Sequence, residues 1–470
     1  MGEAGAAGRA RLGSRATGGA QPLMRMQQPI RTIYLECTST YRFDHRTGIP
    51  RVVRNLVRHF RRLAPSYGFA VVPVHFADGA FHRVPLGEDE RFVSVTQDGT
   101  GELGRSRGRR ILDTLAKFAP GGALRSALLA PSTQPGVAAL VRHVSAKAAR
   151  FVPRARRERA DAVEIGACDV LFHVDLTMAV DLRDAHARLR ANGTFVCAIV
   201  YDLIPLQHPD LWPPGFVDHF RNWIVATIAS SDRIFTISRA VESDVERYRA
   251  GLPAGSFPEG QAIEWFHLGY DMDLAEDNEA PRAALREIFE SPTPVLLNVG
   301  WFDPRKNQGR LVEALGRLHA RGVAATLLLV GKRGIGAEPV FEALRAHPQL
   351  AASVLFFHDL SDAELLFAFR HSRALVYSSY AEGFGLPLVE ALMLGLPALV
   401  SDIPVFREIA DGHAVYFDPF SVDSIAATVE AFLVHGDYPA ANASQPFAWM
   451  SWEESAQRLF GMLTRALPGP

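Results

Sequence analysis

Ser378-Ser-Tyr-Ala-Glu-Gly-Phe-Gly-Leu-Pro-Leu-Val-Glu390 is the stretch on which the reading of this chain turns. It follows the short apolar run 374–377 and opens a helix that ends near Gly395. Strand, glycine loop and helix start together form a ligand-binding unit. Gly383 and Gly385 let the backbone approach a ligand closely, and the free N–H groups of a first helical turn attract phosphate. Pro387 suits that turn. Glu390, on the first turns, can accept hydrogen bonds from paired hydroxyls such as those of a ribose.

Around this stretch the same grammar repeats. Residues 295–299, 325–330, 354–357, 398–400 and 414–417 are short, continuously apolar runs, most of them separated by helical patterns. Strands apolar on both faces that alternate with helices predict a parallel sheet covered on both sides. The first half reads alike, with strands expected at 32–37, 69–76, 169–174, 194–201, 233–238 and 263–268. Helices are expected at 48–64, 181–191, 216–230 and 240–248; in the first, Val52, Leu56 and Phe60 fall on one face. The fold class is therefore α/β, with two Rossmann-like doubly wound domains facing a cleft. Ligands in such sheets bind beyond the carboxyl ends of the strands.

The whole-chain numbers agree. A chain of 470 residues with 48% apolar side chains is too long for one core, so two or three domains are expected. The boundaries expected are a disordered extension over 1–28, a first domain over 29–275, a second over 276–445 and a closing helix within 446–470. A formal net charge of -1 argues against nucleic-acid binding by the whole molecule. Cys37, Cys168 and Cys197 lack metal-ligand spacing and read as reduced thiols of a cytoplasmic protein. No run of about 18 apolar residues predicts a membrane span. Charge is concentrated in one place. Between 105 and 160 there are thirteen Lys and Arg against two acids, Asp113 and Glu158. This basic part of an insertion over about 97–160 is expected either to touch an anionic membrane peripherally or to be a solvated loop.

Other strand-end loops carry suitable chemistry. In Gly300-Trp-Phe-Asp-Pro-Arg-Lys-Asn307, Arg305 and Lys306 precede a helix over 308–320 and either neutralise a diphosphate or form an ordinary solvated basic turn. Gly331 could give close approach to a nucleobase, and His358 is either a base contact or a polar loop residue.

These loops closely resemble those of glycosyltransferase family 4, the retaining group 1 transferases of the GT-B fold. The resemblance rests on Gly300-Trp-Phe-Asp-Pro-Arg-Lys-Asn and on Glu382-Gly-Phe-Gly-Leu-Pro-Leu-Val-Glu390, which fits the family's Glu-x7-Glu motif. Gly395-Leu-Pro-Ala and Glu408 in Phe-Arg-Glu-Ile-Ala continue it, over about 294–467. It implies that Glu390 binds the donor ribose and that Glu382 faces the transferred sugar. The amides of Gly383, Phe384, Gly385 and Leu386 would hold phosphate or sugar hydroxyls, and Lys306 the diphosphate. Trp301 stands where many members have Arg, and Arg305 is expected to supply that charge.

The first half resembles the family more loosely. Gly48, in Thr47-Gly48-Ile-Pro-Arg51, would approach donor phosphate and sugar across the cleft. Asp202, in Val200-Tyr201-Asp202, would position the acceptor, although Tyr201 replaces a His common in the family. His173 and Asp175 end a neighbouring strand and read as structural or acceptor-facing, and Arg239 is a weaker acceptor candidate. The closing helix, 452–467, would cross back to the first domain.

The function implied is retaining transfer of a mannose- or rhamnose-like hexose from a nucleoside-diphosphate sugar to a glycan or lipid-linked acceptor in surface polysaccharide synthesis. Glu382, Asp202 and Lys306 are the expected catalytic groups. No metal and no cofactor beyond the donor substrate is expected, and the location is cytoplasmic or peripheral at the inner face of the plasma membrane. The competing reading is a catalytically silent nucleotide-binding regulatory protein of the same fold.

Overall fold

The computed structural model describes residues 32–43, 48–87, 92, 162–213, 215–271, 280–332, 334, 338–347, 352–439 and 446–467. The basic segment 105–160, the extension 1–28 and residues 272–279 around the expected domain boundary lie outside them.

The first half runs β1 (Thr32–Glu36), α1 (Thr38–Phe43), α2 (Ile49–Leu63), β2 (Ala70–Ala77), β3 (Ala80–Arg83), β4 (Val170–His173), α3 (Arg183–Ala191), β5 (Phe195–Val200), α4 (Ile204–Gln207), α5 (Phe216–Ser230), β6 (Arg233–Thr236), α6 (Arg239–Ala250) and β7 (Ala262–Trp265). Its strands form one sheet in the order β3-β2-β1-β4-β5-β6-β7. All neighbours pair in parallel except β2 and β3. That antiparallel edge was not expected, although its signal is local. Asp78 and Gly79 both have positive φ, 51° and 82°, as a two-residue hairpin turn with right-handed strand twist requires.

The second half runs α7 (Ala283–Glu290), β8 (Val295–Val299), α8 (Gln308–Ala320), β9 (Thr326–Val330), α9 (Glu338–Ala346), β10 (Val354–Phe357), α10 (Asp362–His371), β11 (Ala374–Tyr377), α11 (Leu386–Met393), β12 (Ala398–Ser401), α12 (Pro404–Ala410), β13 (Val415–Phe417), α13 (Val422–Glu430) and α14 (Trp452–Ala466). Its strands form a parallel sheet in the order β10-β9-β8-β11-β12-β13. Strands such as β11 and β12 are buried along their whole length, which explains their unbroken apolar sequence.

Both sheets reverse their strand order at one place, between β1 and β4 in the first and between β8 and β11 in the second. At such a point consecutive crossovers depart to opposite sides and leave a crevice at the strand ends. The loops after these four strands are therefore the places a ligand can enter.

The closing helix does return to the first domain. Phe460 of α14 packs edge-on against Phe60 of α2, with ring centroids 5.2 Å apart. Ahead of it the chain runs so close to the end of the first domain that a Cβ on Gly269 would lie 2.3 Å from the backbone of Trp452. Tyr270 N–H donates to the Met450 carbonyl and the Trp449 indole to that of Leu268.

Candidate functional site

The loops at the second switch point meet at Glu382. Its side chain is 8% exposed and accepts from Arg305 Nη1 and Lys306 Nζ, each at 2.6 Å. Ser379 Oγ, at 2.7 Å, and the Tyr377 hydroxyl, at 3.1 Å, also donate to Oε1. Burial alone would raise this carboxyl, but Arg305 and Lys306 outweigh it and hold the pKa at about 2. Lys306 is itself lowered, because burial disfavours its charge more than Glu382 favours it. Burial acts the same way on Arg305, but the facing carboxylates Glu382, Asp303 and Asp202 raise it.

The geometry follows from the local chain. Asp303 accepts from Arg305 N–H and starts a single tight turn, Pro304–Lys306. Asn307, in the left-handed conformation, ends it and ties the loop across the switch point through the carbonyls of Ser378 and Pro419. The Tyr380 N–H donates to the Arg305 carbonyl, so the two loops are stitched together. Arg305 and Lys306 thus stand beside the start of α11 with their charge largely balanced by Glu382 and Asp303.

Glu390, on α11, is buried at 3% exposure. Its partner comes from the other domain: Arg51 of α2 donates from Nη1 to Oε1 at 2.5 Å. Three further contacts bridge the cleft. Ser238 Oγ donates to the Gly383 carbonyl at 2.9 Å. A Cβ on Gly383 would sit 2.3 Å from the Tyr201 carbonyl. Glu408 accepts from the Arg239 and Ala240 N–H groups, at the start of α6, and from His267 Nε2 at 2.7 Å.

Several expected site residues acquire different neighbours from those anticipated. The room that Gly383 and Gly385 provide is filled by protein. Gly383 faces Tyr201, and Gly385, at φ 120°, faces the Phe406 ring, which a Cβ would approach to 2.8 Å. Gly331 likewise serves contact with its own chain, since a Cβ there would lie 1.9 Å from the Gly300 carbonyl. By contrast Gly48, at φ 65° and the N-cap of α2, has nothing within 4 Å of an added Cβ. His358 is exposed and its Nδ1 lies 2.8 Å from the Gly331 carbonyl. Phe384 is buried, while Leu386 opens α11. Asp202 accepts from Ile204 N–H, the first residue of α4, at 3.0 Å, and burial raises its pKa against the pull of Arg305. Arg239 lies over the Trp265 ring at 5.0 Å. Trp301 is 40% exposed beside the Gly300 turn. The Arg51 and Glu408 bridges were missed, because partners 339 and 169 residues apart leave no mark in local spacing.

Residues 282–443 match the family described as Glycosyl transferases group 1. The chain is 34% identical over 307 residues to the serotype-specific mannosyltransferase WbdA of Escherichia coli, covering 64% of this chain and 37% of that protein. It is 28% identical over 210 residues to the O-antigen chain mannosyltransferase B of Escherichia coli, covering 42% of this chain and 55% of that one. The chain thus spans little more than a third to about half of these relatives. The sucrose-phosphate synthase structure from Thermosynechococcus elongatus superposes with a TM-score of 0.56 at 18% identity, over 93% of this chain and 98% of that one. That likeness carries the architecture: the chain has the GT-B fold, and the group 1 glycosyl transferase match lies within its second domain.

Proposed function

We propose that the chain is a retaining glycosyltransferase that moves a mannose- or rhamnose-like hexose from a nucleoside-diphosphate sugar to a glycan or lipid-linked acceptor in surface polysaccharide synthesis. The observation that carries this reading is the Glu382–Arg305–Lys306 cluster at the second switch point, with Glu390 on the helix that follows. The similarity to two mannosyltransferases favours mannose.

In this reading the ribose hydroxyls donate to Glu390, and the diphosphate accepts from Arg305, Lys306 and the N–H groups at the start of α11. Those groups stabilise the departing nucleoside diphosphate without a metal. Gly48 faces the donor phosphate and sugar from across the cleft, and Asp202 lies on the acceptor side. Glu382 is committed to two cations and two hydroxyls, so it serves as an electrostatic anchor rather than as a free nucleophile. The leaving phosphate then takes the acceptor proton on the same face as the new bond, which preserves the anomeric configuration.

Incubation of the full chain with GDP-mannose in the absence of acceptor tests the reading against a silent nucleotide binder. Slow release of mannose that Lys306→Ala abolishes supports transfer; tight GDP binding with no sugar release would sink it. A second part of the proposal concerns location. The basic segment 105–160 supports peripheral contact with an anionic inner membrane surface. Flotation with phosphatidylglycerol vesicles, with and without that segment, tests it, and equal recovery of both proteins would remove the idea. No helix among the described residues is long and apolar enough to cross a membrane.

A further inference from the structure

The donor cluster occupies the switch point of the second sheet, while in the first domain a cavity that the donor reading leaves unused lies between the end of β4, β5 and the helices α3 and α5. The cavity has a volume of about 550 Å³, within the range of small-molecule pockets. His173 and Asp175, at the end of β4, line it together with His186 of α3 and Asn222 and Trp223 of α5. We propose that this cavity is a carbohydrate subsite that takes one neutral sugar unit of the acceptor glycan, with a sugar hydroxyl seated between His173 and His186. The inference rests on the transferase reading above.

Three observations carry it. The first is an unsatisfied pair. The two imidazole centroids are 4.5 Å apart, and both Nε2 atoms are buried with no hydrogen-bond partner. Their other nitrogens are engaged. His173 Nδ1 faces Glu36 Oε2 at 3.2 Å, and His186 Nδ1 faces Ser230 Oγ at 2.8 Å. Glu36 is held in its charged form against its burial by His173 and Thr38, so His173 Nδ1 carries the proton of that hydrogen bond and Nε2 is the free ring nitrogen. His186 stays neutral because burial, His173 and Arg190 push its pKa down to about 2. Ser230 occupies its Nδ1 and leaves Nε2 as the free ring nitrogen. A hydroxyl, which can both give and receive a hydrogen bond, can satisfy either nitrogen whichever of them carries a proton.

The second observation is charge. Asp175 already accepts from the Thr40 and Leu176 N–H groups, and Arg183 at the rim is tied to Asp181. Among the described residues no group of three or more His, Cys, Asp and Glu side chains is placed to hold a metal ion. An indole and an amide on the wall of a pocket without a free cation suit a neutral polyol better than a phosphate or a metal.

The third is position. The Tyr201 hydroxyl donates at 2.6 Å to the carbonyl of Val174, between His173 and Asp175. The Tyr201 carbonyl faces Gly383, next to Glu382. One buried residue thus joins the chain between two cavity-lining residues to the donor loop.

The test uses the full chain, with mannotriose as the sugar probe and GDP as the nucleotide probe, both read by calorimetry. Trp223→Ala and the more exposed Asn222→Ala are each expected to weaken mannotriose binding at least tenfold while GDP affinity stays within twofold of wild type. Mannotriose binding that is absent from the wild type, or equal in wild type and both variants, overturns the subsite. Loss of GDP binding in the wild type with mannotriose binding retained and variant-sensitive would overturn the donor reading and leave the subsite standing.

Discussion

Arg51 and Glu390, 339 residues apart in the chain, are joined by a 2.5 Å ion pair that crosses the cleft between the two domains. The carboxylate expected to receive the donor ribose is therefore held by the opposite domain. Binding a ribose there must share Glu390 with Arg51 or displace it. Glu390→Ala is expected to weaken GDP binding by about one to two orders of magnitude, the loss of about 1.5–3 kcal/mol for hydrogen bonds to a charged group. Arg51→Ala should bind GDP at least as tightly as wild type, because a competitor for Glu390 is gone. Calorimetric titration of the two variants checks this, and equal weakening in both would contradict the competition.

Glu382 supports a second prediction. Removing the anion by Glu382→Gln leaves Arg305 and Lys306 facing each other in a site that is nearly closed to solvent. Breaking a buried charge pair costs about 3–5 kcal/mol, so the second domain should melt several degrees lower and transfer should be lost. Because the folded pKa is depressed to about 2, the carboxylate contributes stability above the ordinary carboxylate range. That contribution falls away as pH drops towards 2. Acid unfolding followed by circular dichroism should show wild type and Glu382→Gln converging as pH falls.

Gly383 separates packing from chemistry. A Cβ there would meet the Tyr201 carbonyl at 2.3 Å, a distance that neither backbone can relieve without moving the domains apart. Gly383→Ala is therefore expected to open the cleft, visible as a larger radius of gyration in solution scattering, and to reduce transfer at least tenfold. Gly48→Ala meets no neighbour but keeps a left-handed φ of 65°, so it should cost about 1 kcal/mol of stability without opening the cleft.

These contacts show where sequence reasoning reaches its limit. The run 374–377, Glu382 and the start of α11 were legible because strand, glycine and helix signals are local. Lys306 was legible for the same reason, since its turn begins and ends within five residues. What the two glycines of the loop face was not. A glycine advertises room, but only the fold says whether a ligand, Tyr201 or Phe406 occupies it. Glu408 was visible as part of a family pattern, yet its work, capping a helix in the other domain, depends on a tertiary approach that no periodicity encodes. The cavity beside His173 was hidden for the same reason. His186 enters it from a helix whose exposed side shows only ordinary charge.

Glu408 yields a fourth prediction. It satisfies two N–H groups at the start of α6 and one histidine of the first domain, and its pKa is lowered despite burial by His267 and those amides. Loss of a helix cap typically costs about 1–2 kcal/mol. Glu408→Ala should lower the melting temperature by several degrees while GDP affinity is retained, because no donor contact is removed. Glu408→Gln, which keeps one acceptor oxygen, should recover part of the loss. A variant as stable as wild type would show that the bridge is incidental.

The final prediction concerns pH and uses His186. Burial, with His173 and Arg190 nearby, depresses its pKa from 6.5 to about 2, opposed by Asp181. In the native protein the ring stays neutral throughout the range from 2 to 6.5, whereas in the unfolded chain it takes up a proton as pH falls below 6.5. The unfolded state then binds more protons, so stability drops on acidification, by up to about 1.4 kcal/mol per pH unit well below 6.5. Asp175 acts in the opposite sense. Burial and Glu36 raise it to about 7, so its contribution is present at low pH and is lost as pH rises towards 7. The wild-type curve is the sum of both, which is why a variant is needed to separate them. His186→Leu removes one group and leaves the other. The difference in melting temperature between wild type and His186→Leu should therefore shift in favour of the variant between pH 7.5 and pH 5. A difference that stays constant across that range would mean that His186 takes up its proton over the same pH range folded and unfolded, so that burial in the cavity does not hold it neutral.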